Sequence, residues 1–264
     1  MLDSGIRGAM YRAICSLYSA CESCVKLGGE AGYTDFFPVE AGVRQGCILS
    51  PLLYSLFING LAMALKASGL GATIDGRDGG RMLTVLLYAD DIVLLAESPA
   101  QLQWLMGIVH SYCVRWRMQV NHAKCGLIRF NVTGAVLPTH ALTIGATPIA
   151  WLDSYKYLGV ELRAAPGRPF HLFRRRMLSA AKRAAGHIAG MGMFSGKLPV
   201  PLGIRVYKAL VRPLLEFCAE VTSLQPWSDA EQLQTAVGKR ILQCPRYASA
   251  TAAQGDLGWT TLEG

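Results

Sequence analysis

The sequence predicts an α+β fold: antiparallel strands packed on helices, then a predominantly helical region. Three observations predict it. Apolar, partly β-branched runs at 82–87 and 92–96 are strand-length and flank the turn Tyr88-Ala89-Asp90-Asp91. Leu102, Leu105, Met106, Val109, Cys113 and Trp116 recur at helical spacing. After Pro169, helical patterns dominate, broken by Gly190, Gly192, Gly196, Pro199 and Pro201.

The elements follow in order. Met10, Ile14, Leu17, Tyr18 and Cys21 mark a helix over about 5–21. Residues 24–27 and 33–39 flank Gly28-Gly29 and read as a hairpin. The loop Gly42-Val43-Arg44-Gln45-Gly46-Cys47 runs into a helix over about 51–66, with Ser50 as its cap and Pro51 at its first position. Residues 69–80 are glycine-rich and read as a loose connection. Both faces of the 82–96 hairpin are apolar, so it should be largely covered. Two ionised carboxylates at a covered tip are costly and call for a cation, and no Lys or Arg lies between Arg81 and Arg115. A divalent ion is the local candidate, against an ordinary Asp-rich turn. Ser98-Pro99 with Gln101 starts the next helix. Residues 120–124 turn into a strand at 126–130, residues 141–151 form short strands about a turn, and residues 155–160 form another strand.

Composition bounds the function. The chain has 264 residues, 52% hydrophobic and 17% charged, which suits a folded protein of one or two domains. Its formal net charge of +8 favours a polyanionic partner. Between Leu162 and Leu215 there are eleven Lys or Arg and no Asp or Glu, which favours nucleic acid over a phospholipid surface. Asp3, Arg7 and Arg12 spoil a secretory signal, and with eight cysteines this implies an intracellular, reducing compartment. Cys21 and Cys24 have CxxC spacing but no second pair at zinc-ligand spacing. Residues 47–65 are uncharged, yet Ser50, Pro51, Ser55, Asn59 and Gly60 fit a buried helix better than a membrane span.

The order of motifs resembles the reverse transcriptase domain of non-LTR (LINE-type) retrotransposons. The carrying residues are 42–51, Leu56-Phe57-Ile58-Asn59, Tyr88-Ala89-Asp90-Asp91, Trp116 through Val120-Asn121 to Lys124, and Tyr155-Lys156-Tyr157-Leu158-Gly159. The resemblance spans about 4–220. Group II intron maturases and telomerase share the architecture, but 43–46 and 155–159 favour the LINE type.

The resemblance implies a right-hand polymerase palm over 1–164, a basic helical thumb over 165–222, an unassigned tail over 223–264 and absent fingers. It implies nucleotidyl transfer with Mg2+ (or Mn2+), using two ions about 3.5–4 Å apart. Asp90 would be the main metal ligand, and Asp91 a weaker ligand or an outer group. Tyr88 would pack beneath the nucleotide or primer end, and Arg44, Gln45 and Gly46 against the incoming nucleotide and templating base. Lys124 would contact its phosphates or protonate the leaving pyrophosphate. Tyr157, Leu158 and Gly159 would be the primer grip. Arg163, Arg168, Arg174, Arg175, Arg176, Lys182 and Arg183 would follow duplex phosphates. Implied partners are an RNA template, a DNA primer and deoxynucleoside triphosphates, with no membrane, in the nucleus if the element is eukaryotic.

The family's palm carries a further aspartate on a strand before the opening helix. Asp3, the only nearby acid, falls at the helix start, where Asp commonly caps. Asn59-Gly60 replaces a frequent Asn-Asp. The expectation is an N-terminally truncated fragment, inactive alone, with the alternative of a nucleic-acid-binding remnant.

Overall fold

The computed structural model describes residues 5–28, 32–74, 80–130, 141–164, 168–192, 199–222 and 226–262. Asp3, Gly29, Gly196 and the expected boundary near 165 fall outside or at the margin of these residues. The chain divides into two compact units, Met1–Cys125 with His140–Ile149, and Gly126–Thr139 with Ala150–Gly264. No helix among the described residues is long and apolar enough to cross a membrane.

The first unit opens on α1 (Gly8–Tyr18), then β1 (Glu22–Ser23) pairs antiparallel with β2 (Phe37–Pro38). Helix α2 (Ser50–Ala67) starts with Pro51 in its first turn, as expected. Ser50 is not its side-chain cap. The Ser50 hydroxyl instead donates to the Arg44 carbonyl at 2.6 Å, closing the preceding loop. The apolar run at 82–87 is not one strand. Thr84 is buried and donates to the Leu70 carbonyl at 2.6 Å. This separates β4 (Arg81–Leu83), paired with β3 (Ala72–Ile74), from β5 (Val85–Tyr88), paired with β6 (Asp91–Leu94).

Helix α3 (Pro99–Arg115) starts as its sequence directs. The Ser98 side chain accepts from the Gln101 N–H, and the Gln101 side chain accepts from the Glu97 N–H at 3.1 Å. Leu105, Val109 and Cys113 of α3 meet Ile58, Leu61 and Leu65 of α2 in the unit's core. Past a 3-10 turn (His122–Lys124), β7 (Leu142–Ile144) and β8 (Thr147–Ile149) pair around Gly145. A Cβ on Gly145 would meet the His110 ring at 2.6 Å, and its φ is +61°, so the turn requires glycine.

The second unit begins with a single parallel bridge, Leu127 to Trp151, where a strand over 126–130 was expected. Strands β9 (Ser154–Tyr157) and β10 (Val160–Arg163) form a hairpin, followed by α4 (His171–Gly190), α5 (Val200–Leu210), α6 (Arg212–Glu216) and α7 (Ala219–Thr222). Then come α8 (Ser228–Ile241) and α9 (Ala250–Leu257). These last two lie in the stretch left unassigned as a tail, yet they carry core residues. Ala230, Val237, Ile241 and Leu257 pack with Leu178, Ala181, Ala185 and Ile188 of α4. The Tyr207 ring stacks on Trp259 at 4.3 Å, and its hydroxyl donates to Gln234 Oε1 at 2.8 Å. Gln234 is wholly buried and donates onward to the Thr260 carbonyl, so its amide is satisfied.

The expected α+β class holds, but the single antiparallel sheet does not. Among the described residues the strands form five separate two-stranded ladders.

Candidate active site

The carboxylate pair sits at the tip of the β5–β6 hairpin. The register Val85↔Leu94, Leu87↔Ile92 turns these four side chains toward the α2–α3 core. By the two-residue period of a strand, Leu86, Tyr88, Asp91 and Val93 lie on the other face. Leu86 is 41% exposed and Tyr88 64% exposed, so the hairpin is covered on one side only. The expectation of a largely covered hairpin is corrected: its second apolar face is open. Both carboxylates are exposed and keep their hydration, which removes the argument that a cation must neutralise them.

The connection is two residues, Ala89-Asp90, between the paired Tyr88 and Asp91. Ala89 adopts φ +50°, a left-handed conformation that costs a non-glycine residue roughly 1 kcal/mol. Asp91 therefore shares the open face with Tyr88. Asp90 lies in the turn, and its charge is felt at Tyr54 of α2. Burial and then the Asp90 charge raise the Tyr54 phenol above its ordinary value. Sequence reading missed Tyr54, though its place one turn beyond Ser50 on the same helix was the available signal.

The loop 42–47 reaches the same end of α2. The Arg44 guanidinium donates through Nε (3.3 Å) and Nη2 (3.0 Å) to the buried Cys21 sulfur. Its carbonyl accepts from Ser50, whose Oγ also lies 3.2 Å from the Tyr18 hydroxyl. Gly42 (φ +92°) and Gly46 (φ +81°) supply the left-handed turns. Hydrogen bonds from the Leu49 backbone and from Ser50, with the Arg44 charge, hold the Cys47 thiol below its ordinary value. Gln45 is exposed, as is Lys124 at the end of the 3-10 turn.

The remaining predicted residues lie in the second unit. Tyr157-Leu158-Gly159 was expected within a strand. Instead Leu158 (φ +47°) and Gly159 (φ +86°) form the turn between β9 and β10, with Tyr157 paired to Val160. Arg176 Nη2 donates to the Gly159 carbonyl at 3.4 Å, tying this turn to α4. Arg175, Arg176, Lys182 and Arg183 are exposed on α4, and Arg183 donates to Ser179. Arg174 differs: it is half-buried, its guanidinium 4.7 Å from the centre of the Trp227 ring.

Among the described residues, no group of three or more His, Cys, Asp or Glu is placed to hold a metal ion. The donor set at the tip is two hard carboxylates on adjacent residues, exposed to water. That set fits one divalent cation sharing its coordination with water, and falls short of a full two-ion clamp.

Residues 9–162 match the family described as reverse transcriptase (RNA-dependent DNA polymerase). The chain is 27% identical over 231 residues to the RNA-directed DNA polymerase from mobile element jockey of Drosophila funebris, covering 83% of this chain and 24% of that protein. It is 29% identical over 147 residues to the retrovirus-related Pol polyprotein from type-2 retrotransposable element R2DM of Drosophila melanogaster, covering 52% and 13%. It is 30% identical over 151 residues to the transposon TX1 149 kDa protein of Xenopus laevis, covering 56% and 11%. The chain thus spans about a quarter of the length of the jockey protein.

Proposed function

This chain belongs to the reverse transcriptase family, and from that premise we propose that it is the palm and thumb part of a LINE-type retroelement's RNA-directed DNA polymerase. Its reaction is nucleotidyl transfer to a primer 3′ end, with an RNA template, a DNA primer and deoxynucleoside triphosphates as partners, in the nucleus if the element is eukaryotic. The observation that carries this reading is the β5–β6 register, which presents Asp90 in a two-residue turn and Asp91 at the start of β6 to solvent, inside the matched residues.

Each residue has a role under this reading. Asp90, with Asp91 beside it, holds Mg2+ (or Mn2+). A bound divalent ion supplies charge stabilisation for the attacking and leaving oxygens. Tyr88, exposed beside Asp91, offers a ring for the nucleotide or the primer end. Arg44 supplies a cation and Gln45 an amide for the nucleotide and templating base, and Gly46 leaves room for their approach. Lys124 faces the phosphates. The Tyr157-Leu158-Gly159 turn supports the primer terminus. Arg175, Arg176, Lys182 and Arg183, with Arg174 behind them, follow the duplex backbone by shape and charge rather than by base edges.

A second reading is a nucleic-acid-binding remnant without chemistry. It is favoured by the eleven cations between Leu162 and Leu215, which suit a polyanion whether or not chemistry follows. Primer extension with Mg2+ on an RNA template separates the two. Extension by the 264-residue chain that falls at least about a hundredfold in Asp90→Asn, with duplex binding retained, supports the polymerase. Salt-sensitive duplex binding with no extension supports the remnant.

A further inference from the structure

Arg44 carries a full positive charge and pairs with no carboxylate among the described residues; the ion pair found there is Arg212 with Glu216. Its hydrogen bonds go to a thiol, and its guanidinium carbon lies 6.0 Å from the centre of the Tyr18 ring. Two adjacent N–H groups of the guanidinium converge on one sulfur, that of Cys21, which is 8% exposed. A guanidinium carries five N–H donors, so the fork onto sulfur uses one edge and leaves the Nη1 edge uncommitted. The rest of the loop is fixed independently. Ser50 holds the Arg44 carbonyl and meets Tyr18, and the Cys47 N–H returns to that carbonyl at 3.2 Å. Cys21 itself is placed by α1, its sulfur 3.4 Å from the Leu17 carbonyl. The hydrogen bond to Cys21 also raises the Arg44 pKa, so the side chain stays a cation throughout any working pH range.

We propose that Cys21 is a positioning residue for Arg44, holding one edge of the guanidinium so that the other faces a phosphate group. This deepens the polymerase reading and rests on it. The phosphate is that of an incoming nucleoside triphosphate or of a template–primer strand, and the tests distinguish the two. Without Cys21 the Arg44 side chain regains its rotamers, and binding each phosphate then has to restrict them again. The sulfur is used as a hydrogen-bond acceptor, so a serine oxygen can replace it in part.

Two measurements on the full chain test this. The first is the rate of phenylglyoxal modification at Arg44, followed by peptide mass spectrometry in wild type, Cys21→Ala and Cys21→Ser. It needs no catalytic activity. Cys21→Ala is expected to raise the rate severalfold and Cys21→Ser to return it toward wild type. Equal rates in all three overturn the proposal. Melting curves identify a variant that fails to fold, in which case Cys21→Val, which keeps the bulk of the side chain but offers no acceptor, replaces Cys21→Ala in the comparison. The second is steady-state extension, where Cys21→Ala is expected to raise the KM for the deoxynucleotide about tenfold with kcat within about twofold. A loss confined to template–primer affinity assigns Arg44 to the nucleic-acid phosphate. A fall in kcat alone overturns the positioning role. If the chain alone never extends a primer, it acts as the nucleic-acid-binding remnant and the KM test does not apply, while the modification rates still decide whether Cys21 positions Arg44.

Discussion

The two units use their apolar residues in opposite ways. The second closes twelve buried residues from several helices into one cluster, with a stacked Tyr207–Trp259 pair inside it. The first buries six in its α2–α3 cluster, and lays only one face of the β5–β6 hairpin against them. The predicted carboxylates thus stand on the thinly supported element, and the predicted basic residues on the solvent face of the well-supported one. Elements with little buried apolar surface open most readily, which suits the proposed role of admitting a nucleotide and a primer end. A helix anchored along one side keeps its charges in a fixed array, which suits a long polyanion.

Mutations can break this comparison, and the largest effect is expected in the second core. Tyr207→Ala removes a fully buried ring and its bond to Gln234, and should destabilise that unit by about 3–5 kcal/mol in urea unfolding. Leu86→Ala, on the open face of β5, should cost less than about 1 kcal/mol. Similar changes at the two positions would erase the contrast. Next, replacing Arg175, Arg176, Lys182 and Arg183 together with Gln should weaken template–primer binding about a hundredfold or more near physiological salt. It should also flatten the log–log salt slope by about 0.9 for each phosphate the helix no longer neutralises. An unchanged slope, read by fluorescence anisotropy, would remove the basic face of α4 from the interface.

Smaller effects sharpen the first unit. Ser98→Ala should cost about 1 kcal/mol, because the Gln101 N–H loses its acceptor at the start of α3. The same change at Ser50 should leave α2's end intact and instead release the Arg44 loop, measurable as faster hydrogen exchange around 44–47. The subtlest test is the Tyr54 titration. Its folded value lies above the unfolded one, so its contribution to stability is present below the ordinary phenol value and is lost as pH rises through the folded value. Asp90→Asn should lower the Tyr54 value, read by ultraviolet titration. No change would separate Asp90 from α2.

Local signals were legible where a few neighbouring residues complete their own bonds. Ser98, Pro99 and Gln101 start α3 through hydrogen bonds within four residues. The β7–β8 pair falls within 141–151, where short strands about a turn were expected, and the Asp90-Asp91 turn was marked by the apolar runs on either side. Reading failed where the deciding partner is remote or the pattern is neutral. Residues 155–160 look like one strand because the left-handed φ at Leu158 and Gly159 leaves no hydropathy trace. Helices α8 and α9 looked like a polar tail because, besides Val237, Ile241 and Leu257, they bury small or polar residues, Ala230, Gly238, Ala253 and Gln234, that carry little hydrophobic signal.

The sequence by itself determined the α+β class, the reverse transcriptase family and the turn that carries Asp90 and Asp91, since these rest on short-range pattern and motif order. Only the tertiary structure decided that the Asp90 charge acts on Tyr54, that Arg44 rests on Cys21, and that one face of the hairpin is open. Those three features depend on residues more than twenty positions apart meeting in space. Which face of a two-sided apolar strand is buried is likewise set by whatever packs on it, not by the strand's own residues.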